Sequence, residues 1–337
     1  MTTTLPRTID WQLTYACQLR CTHCYTESGR RASRKLGRAQ LLQIADTLVQ
    51  MRVERVLLVG GEPLLVPEVF EITERLRGGG IPVSCYTNGL DLTRDDAIAF
   101  AERDAAVHVS VDGATAEVHD AIRGRPGAFA ATMASLHRLD AVAATWPLRY
   151  GVDVVLVRSN YHQLRQICGE LMTDLPRASF LSVGAVIPIG LASEPAFRHE
   201  LLLPDELRSL GDRELLAELV GLAPSHLDLT VVDNQELQVH TRFAAMTDSY
   251  RNLMEIEPDG AIRGFAACEG TIGNILVEAP DVLWARCSER IGDPAIVDRL
   301  STVQTPEQWA QAIYEIDRRF AAKDALVRLS KRAGVSV

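Results

Sequence analysis

The stretch CQLRCTHCY, residues 17–25, sets Cys17, Cys21 and Cys24 three and two residues apart. Thiolates at that spacing can converge on one iron–sulfur cube whose fourth iron has no protein ligand, which leaves a position where chemistry can occur. A zinc site draws on the same residue type but is usually closed by four ligands from paired cysteines or histidines. His23 lies inside the run and is expected to point away as part of the loop. Alone, the run leaves zinc, a closed cluster and an open one as alternatives.

From residue 8 to about 190, short apolar runs alternate with amphipathic helical segments, the pattern of repeated βα units around a parallel sheet. Strands are expected at 8–13, 56–59, 83–86, 107–111, 152–157 and 180–189, with helices between them burying faces such as Leu41, Ala45 and Leu48 or Val69, Ile72 and Leu76. Six units are too few to close an eight-stranded barrel. The expected fold is therefore α/β, a partial (β/α)6 TIM-like barrel over residues 1–190, followed by a small α+β C-terminal extension over 191–337. Ligands of such folds gather at the carboxyl ends of the strands. The cysteine run directly follows the first strand and so belongs at that edge.

The later strand ends carry further candidates. Gly60-Gly61-Glu62-Pro63 follows the second strand; two glycines let the backbone approach a ligand closely, and a carboxylate can accept hydrogen bonds from an amine. Thr87-Asn88-Gly89 ends the third, Ser110, Asp112 and Gly113 end the fourth, and His119-Asp120 leads to Arg123-Gly124. Asn160 follows the fifth strand, and Val186-Ile187-Pro188-Ile189-Gly190 ends the sixth. Turns after strands are rich in Asn, Asp and Gly in any case, so each motif is weak alone. Their recurrence at successive strand ends is the signal.

Together with the aromatic Tyr25 that follows Cys24, this pattern resembles the radical S-adenosylmethionine (SAM) superfamily. The resemblance implies a [4Fe–4S] cluster on Cys17, Cys21 and Cys24, with the amino and carboxylate groups of SAM chelating the fourth iron. It also implies one-electron reduction of the sulfonium to give a 5′-deoxyadenosyl radical that removes a substrate hydrogen atom. On the matching positions, Gly60, Gly61, Glu62 and Pro63 are expected to hold the SAM amino group, with Tyr25, Thr87 and Asn88 also at the cofactor. Ser110 and Asp112 are expected near the ribose and methionine parts, and Ile187 and Asn160 on the adenine side. Arg123 is expected to pair with the SAM carboxylate or an anionic substrate, a helix-capping salt bridge being the alternative.

Past residue 191 the pattern changes. Residues 201–220 read as helix, 227–239 as strand with a turn at Asp233-Asn234, 255–277 as containing a hairpin at Pro258-Asp259-Gly260, and 305–331 as a terminal helix. MEIEPDGAIRGFAACEGTIGNI resembles the opening of the SPASM or twitch extension that holds auxiliary clusters in many relatives. Only Cys287 follows Cys268, which tells against a complete auxiliary iron–sulfur cluster. Cys268 is thus a candidate hydrogen-atom donor, a remnant ligand or a small buried residue. Cys85 and Cys168 read as core, and His108, His226 and His240 have no partner that singles one out as acid or base.

The 337 residues, 47% hydrophobic and 23% charged, carry a net charge of −9. That balance argues against nucleic-acid binding. No run approaches the ~18 apolar residues of a membrane span, and the N-terminus lacks a signal-peptide core. Cytoplasmic location and reduced cysteines are expected. The chain is compact and shows no leader-gripping segment ahead of the first strand. This favours epimerisation or dehydrogenation of a sugar-like or other small natural product, with a one-electron donor such as flavodoxin or ferredoxin. Maturation of a ribosomally made peptide is the alternative, and a non-catalytic iron–sulfur or zinc protein a remote one.

Overall fold

The computed structural model describes residues 6–33, 36–234 and 253–332. Six strands arise where the apolar runs predict them: β1 Thr8–Gln12, β2 Arg55–Val59, β3 Val83–Thr87, β4 Ala106–Ser110, β5 Tyr150–Leu156 and β6 Phe180–Ala185. Four more follow: β7 Asp228–Val232, β8 Leu253–Ile256, β9 Ala261–Arg263 and β10 Thr271–Asn274. All ten form one sheet in the order β10-β9-β8-β1-β2-β3-β4-β5-β6-β7. β1 through β7 are parallel, and β8 pairs in parallel with the other side of β1. β9 and β10 turn antiparallel through the predicted hairpin, whose Gly260 takes a left-handed φ of 80°. Because no pairing joins β7 to β8 among the described residues, the sheet is a partial TIM-like barrel rather than a closed one.

Period-two alternation decides what each strand buries. On β1, Ile9 and Trp11 are fully buried against the outer layer, while Asp10 and Gln12 face inward. The outer layer is built from α1 Arg38–Met51, α2 Val69–Gly78, α3 Arg94–Glu102, α4 Ala116–Arg123 and α5 Ala128–Ala143. Leu48, Ile72, Leu76, Phe100, Leu136 and Leu139 of these helices are buried in the same core as Val56, Leu58, Val107 and Val109 of the strands. Each such side chain contributes about 1.5–3 kcal/mol. The Thr93 hydroxyl accepts the Asp96 N–H and caps α3, and Gly124 ends α4 in the left-handed region.

Three elements differ from expectation. The helix expected over 201–220 is two, Pro204–Ser209 and Arg213–Leu222, the second started by the Asp212 carboxylate accepting Glu214 N–H. β6 ends at Ala185 rather than 189, because residues 186–193 turn to cover the cysteine loop. The terminal helix is two, Pro306–Phe320 and Lys323–Arg332, since the first buries Trp309, Ile313 and Ile316 and the second must turn to bury Ala325 and Leu329. Strand 227–239 is seen only as far as its start, and residues 235–239 and His240 lie outside the described residues. No helix among the described residues is long and apolar enough to cross a membrane.

Candidate active site

The loop after β1 is fixed from four sides, by the ends of three other strands and of one helix. After β2, Gly61 N–H donates to Thr14 O at 2.6 Å and Glu62 N–H to Ala16 O at 2.9 Å. A Cβ on Gly61 would lie 2.1 Å from Ala16 O, and one on Gly60 2.6 Å from Thr14 O. The close approach that these glycines allow is therefore to the cysteine loop itself. After β3, Asn88 directs its side-chain amide to Cys17 Sγ at 3.8 Å. From the end of α4, Arg123 O and Ile122 O accept Arg20 N–H and Thr22 N–H at 3.1 and 2.9 Å. After β6, Leu191 N–H donates to Cys24 O at 3.1 Å, beside Gly190, where a Cβ would strike Tyr25.

Within this frame each thiol has a polar partner. Leu19 N–H points at Cys17 Sγ at 3.4 Å, Arg123 Nη1 at Cys21 Sγ at 3.8 Å, and Thr26 Oγ1 lies 3.5 Å from Cys24 Sγ. Burial raises the Cys17 thiol and pushes Cys21 up to about 11, against the pull of Arg123. Metal binding reverses that preference, because ligation deprotonates a thiol outright. Among the described residues no three His, Cys, Asp or Glu side chains close around a single ion. The three cysteines line one cavity instead, as a cube taking one thiolate per iron requires, so the donor set fits a [4Fe–4S] cluster.

That cavity holds about 570 Å³, a size suited to a cofactor with part of a substrate. Tyr25, Gly60, Gly61, Thr87, Asn88, Ser110, Arg123 and Ile187 all line it, together with the cysteines. Glu62, Pro63 and Asp112 do not. The Glu62 carboxylate accepts Thr87 Oγ1–H, Asn88 N–H and Leu64 N–H at 2.8, 2.8 and 3.1 Å, so it ties the β2 loop to the β3 loop. Burial outweighs those three donors and raises it to about 7. Pro63 is buried at the start of a short turn, Pro63–Leu65. Asn160 likewise braces the backbone, donating to Asp112 O and Val155 O at 3.1 and 2.9 Å.

Asp112 is fully buried and lies 2.8 Å from both Arg123 Nε and His23 Nε2. The Arg123 contact is an ion pair without hydrogen-bond alignment at Nε. Burial works to raise Asp112, but Arg123, His23 and the Val155 N–H together hold it well below the usual carboxylate range. His23 therefore does not point away: it lines the cavity, fixed by Asp112. The sequence held no cue for this pair, whose members are 89 residues apart.

Cys268 is not brought to the cavity. It is 3% exposed in a separate apolar cluster with Phe265, Trp309 and Ile313, and burial raises its thiol well above the ordinary value. Cys287 packs in the main core with its thiol on Arg263 O at 3.5 Å. Cys85 and Cys168 are fully buried in that core. His108, by contrast, gains a partner: its Nδ1 lies 2.7 Å from Asp153 Oδ2. Sequence reading also missed a charge cluster in which Arg263 faces Glu255 and Glu257, and Arg328 reaches Glu27 at 3.1 Å and Glu269 at 2.5 Å. These contacts tie the last helix to the cysteine loop.

Residues 11–143 match the family model described as Radical SAM superfamily. That stretch is a radical SAM domain. The cofactors of the superfamily are a [4Fe–4S] cluster and SAM. Among curated relatives, the mycofactocin maturase MftC of Mycobacterium ulcerans is 33% identical over 66% of this chain and 64% of its own length. The AdoMet-dependent heme synthase of Methanosarcina barkeri is 39% identical over 57% of this chain and 54% of its own. The chain thus spans between about half and two thirds of these radical SAM relatives. Streptococcus suis SuiB, solved with SAM and with its precursor peptide SuiA, shares the fold at a TM-score of 0.69 and 15% identity, over 86% of this chain and 68% of SuiB.

Proposed function

We propose that this radical SAM protein is a peptide maturase, acting on a hydrogen atom of a ribosomally made peptide. The single observation that carries this reading is the sequence likeness to mycofactocin maturase, at 33% identity over 245 residues. It favours the peptide alternative over the sugar-like small molecule suggested by compactness. When bound, the cluster and SAM supply the hydrogen-abstracting radical.

The chain's own residues set where that happens. Cys17, Cys21 and Cys24 hold the irons, and the Asp112–Arg123–His23 assembly fixes the wall behind Cys21. Gly60, Gly61, Ser110 and Tyr25 shape the space for SAM, and Ile187 closes one side of it. Glu62 acts by positioning Thr87 and Asn88. A small one-electron carrier such as flavodoxin or ferredoxin is the fitting reductant. Cys268 takes a packing role rather than that of hydrogen donor. To test the substrate class, short precursor peptides encoded beside the gene are incubated with the reduced holoenzyme. Substrate-dependent 5′-deoxyadenosine and a mass change in the peptide are expected; stimulation by nucleotide sugars but by no peptide refutes the proposal.

A further inference from the structure

The cavity does not stop at the cysteine loop. It continues down the inner face of the sheet to Asp10, Tyr86, Asp153, Ser182 and Thr230, on five different strands. Barrel interiors at this depth are usually filled by branched apolar side chains. Two carboxylates, Asp10 and Asp153, line this interior, and Glu255 lies beside Asp10 in register; Asp153 is matched by His108 at 2.7 Å, and Glu255 by Gln12 and by Arg263 at 3.4 Å. Asp10 is not. Its Oδ1 is buried without a hydrogen-bond partner, and its register neighbours are Leu57 on β2 and Glu255 on β8. A buried acceptor without a donor costs about 1–3 kcal/mol, and more when charged, so a fold keeps one where a ligand completes it.

We propose that Asp10 is a substrate-binding residue, and that the group it receives in the floor of the cavity is a cationic nitrogen, an ammonium or guanidinium, on the substrate. A cation is favoured over a neutral donor for two reasons. The strand neighbour Glu255 is a second carboxylate, and the Tyr86, Ser182 and Thr230 hydroxyls that line the same cavity offer acceptors rather than competing cations. Burial and Glu255 also raise Asp10 to about 7, with Arg55 opposing, so an arriving cation gains by restoring the ionised carboxylate. The proposal deepens the peptide-maturase reading and rests on it for what the cavity holds: the segment placed beneath the cluster carries a basic side chain or a free amine.

The test uses n-butylammonium, n-butanol and butyrate as probes on the full, anaerobically reconstituted protein, with binding followed by ligand-observed NMR. Butylammonium is expected to bind about tenfold more tightly than butanol, as one charge-assisted hydrogen bond implies, and butyrate more weakly than either. In Asp10→Asn the preference for butylammonium over butanol falls to about twofold or less. Equal binding of butylammonium and butanol by the wild type, or an undiminished preference in the variant, overturns the assignment. Should Asp10→Asn not fold, a wild-type crystal soaked with butylammonium decides: nitrogen at the Asp10 carboxylate supports the site, and nitrogen only elsewhere overturns it. SAM cleavage and peptide modification in the same preparation report separately on the maturase reading. A preparation that modifies peptide but shows no probe preference overturns only the role of Asp10.

Discussion

Replacing Asp112 by asparagine keeps the side chain's shape and its acceptor for Val155 N–H, but removes the charge opposite Arg123 and His23. Arg123 is only 7% exposed and would be left as a buried guanidinium facing a neutral amide. Breaking a buried pair from one side costs about 3–5 kcal/mol. Because Arg123 borders the cavity and keeps some access to solvent, about 3 kcal/mol, the lower end, is expected. That is a large share of the ~5–15 kcal/mol of a folded domain. Urea titration of the iron-free protein should show it as a lower midpoint at unchanged slope. Asp112→Asn combined with Arg123→Met should recover about half the loss, since no charge is then stranded. The sign with pH follows from the depressed carboxyl. The stabilisation by Asp112 is complete above the unfolded value near ~3.9 and fades as pH falls below it. The variant's deficit should thus be constant from about pH 5 to 8 and shrink in stronger acid. A deficit under about 1 kcal/mol, or a double variant no more stable than the single, refutes the idea that this pair holds the wall behind Cys21.

Three other outcomes follow from the same geometry. Gly61→Ala should push the β2 loop off Ala16, where a Cβ has only 2.1 Å, and lower iron per chain on reconstitution while leaving the far-UV circular dichroism intact. Cys268→Ala should cost about 1–2 kcal/mol of stability in thermal unfolding, as loss of a small buried group does, with unchanged iron content and product stereochemistry; an altered product would restore it as a hydrogen donor. Asp317, raised to about 8 by burial and then by Glu269, destabilises the fold as pH rises between its unfolded value and that range. Asp317→Asn should therefore gain stability over wild type from pH 5 to 8, and a gain independent of pH counts against the shift.

Much of the architecture was legible because it depends on local patterns. The alternation in β1 and the one-sided faces of α1 and α2 are consequences of backbone geometry, and β1 to β6 lie where the apolar runs predict them. The cysteine spacing placed the site at the strand ends for the same reason. What was not legible depends on pairings across long stretches of sequence. Glu62 looked like a ligand group because an Glu after two glycines shows nothing of Thr87 and Asn88, whose donors take it up. His23 looked like a loop residue because its partner Asp112 is on another strand. Asp10 was not singled out within the strand expected at 8–13. Only the fold shows that Asp10 stands beside Glu255 and that its Oδ1 is buried without a donor.

The central claim is that Cys17, Cys21 and Cys24 hold one cluster that works on SAM. Anaerobic reconstitution of the wild type and of a variant with all three changed to alanine, with iron, SAM consumption and 5′-deoxyadenosine measured under dithionite, tests it directly. The account predicts about four irons per wild-type chain, as one [4Fe–4S] cluster requires, with 5′-deoxyadenosine formed, and neither in the variant. Full iron loading without SAM cleavage, or iron retained by the triple variant, contradicts it.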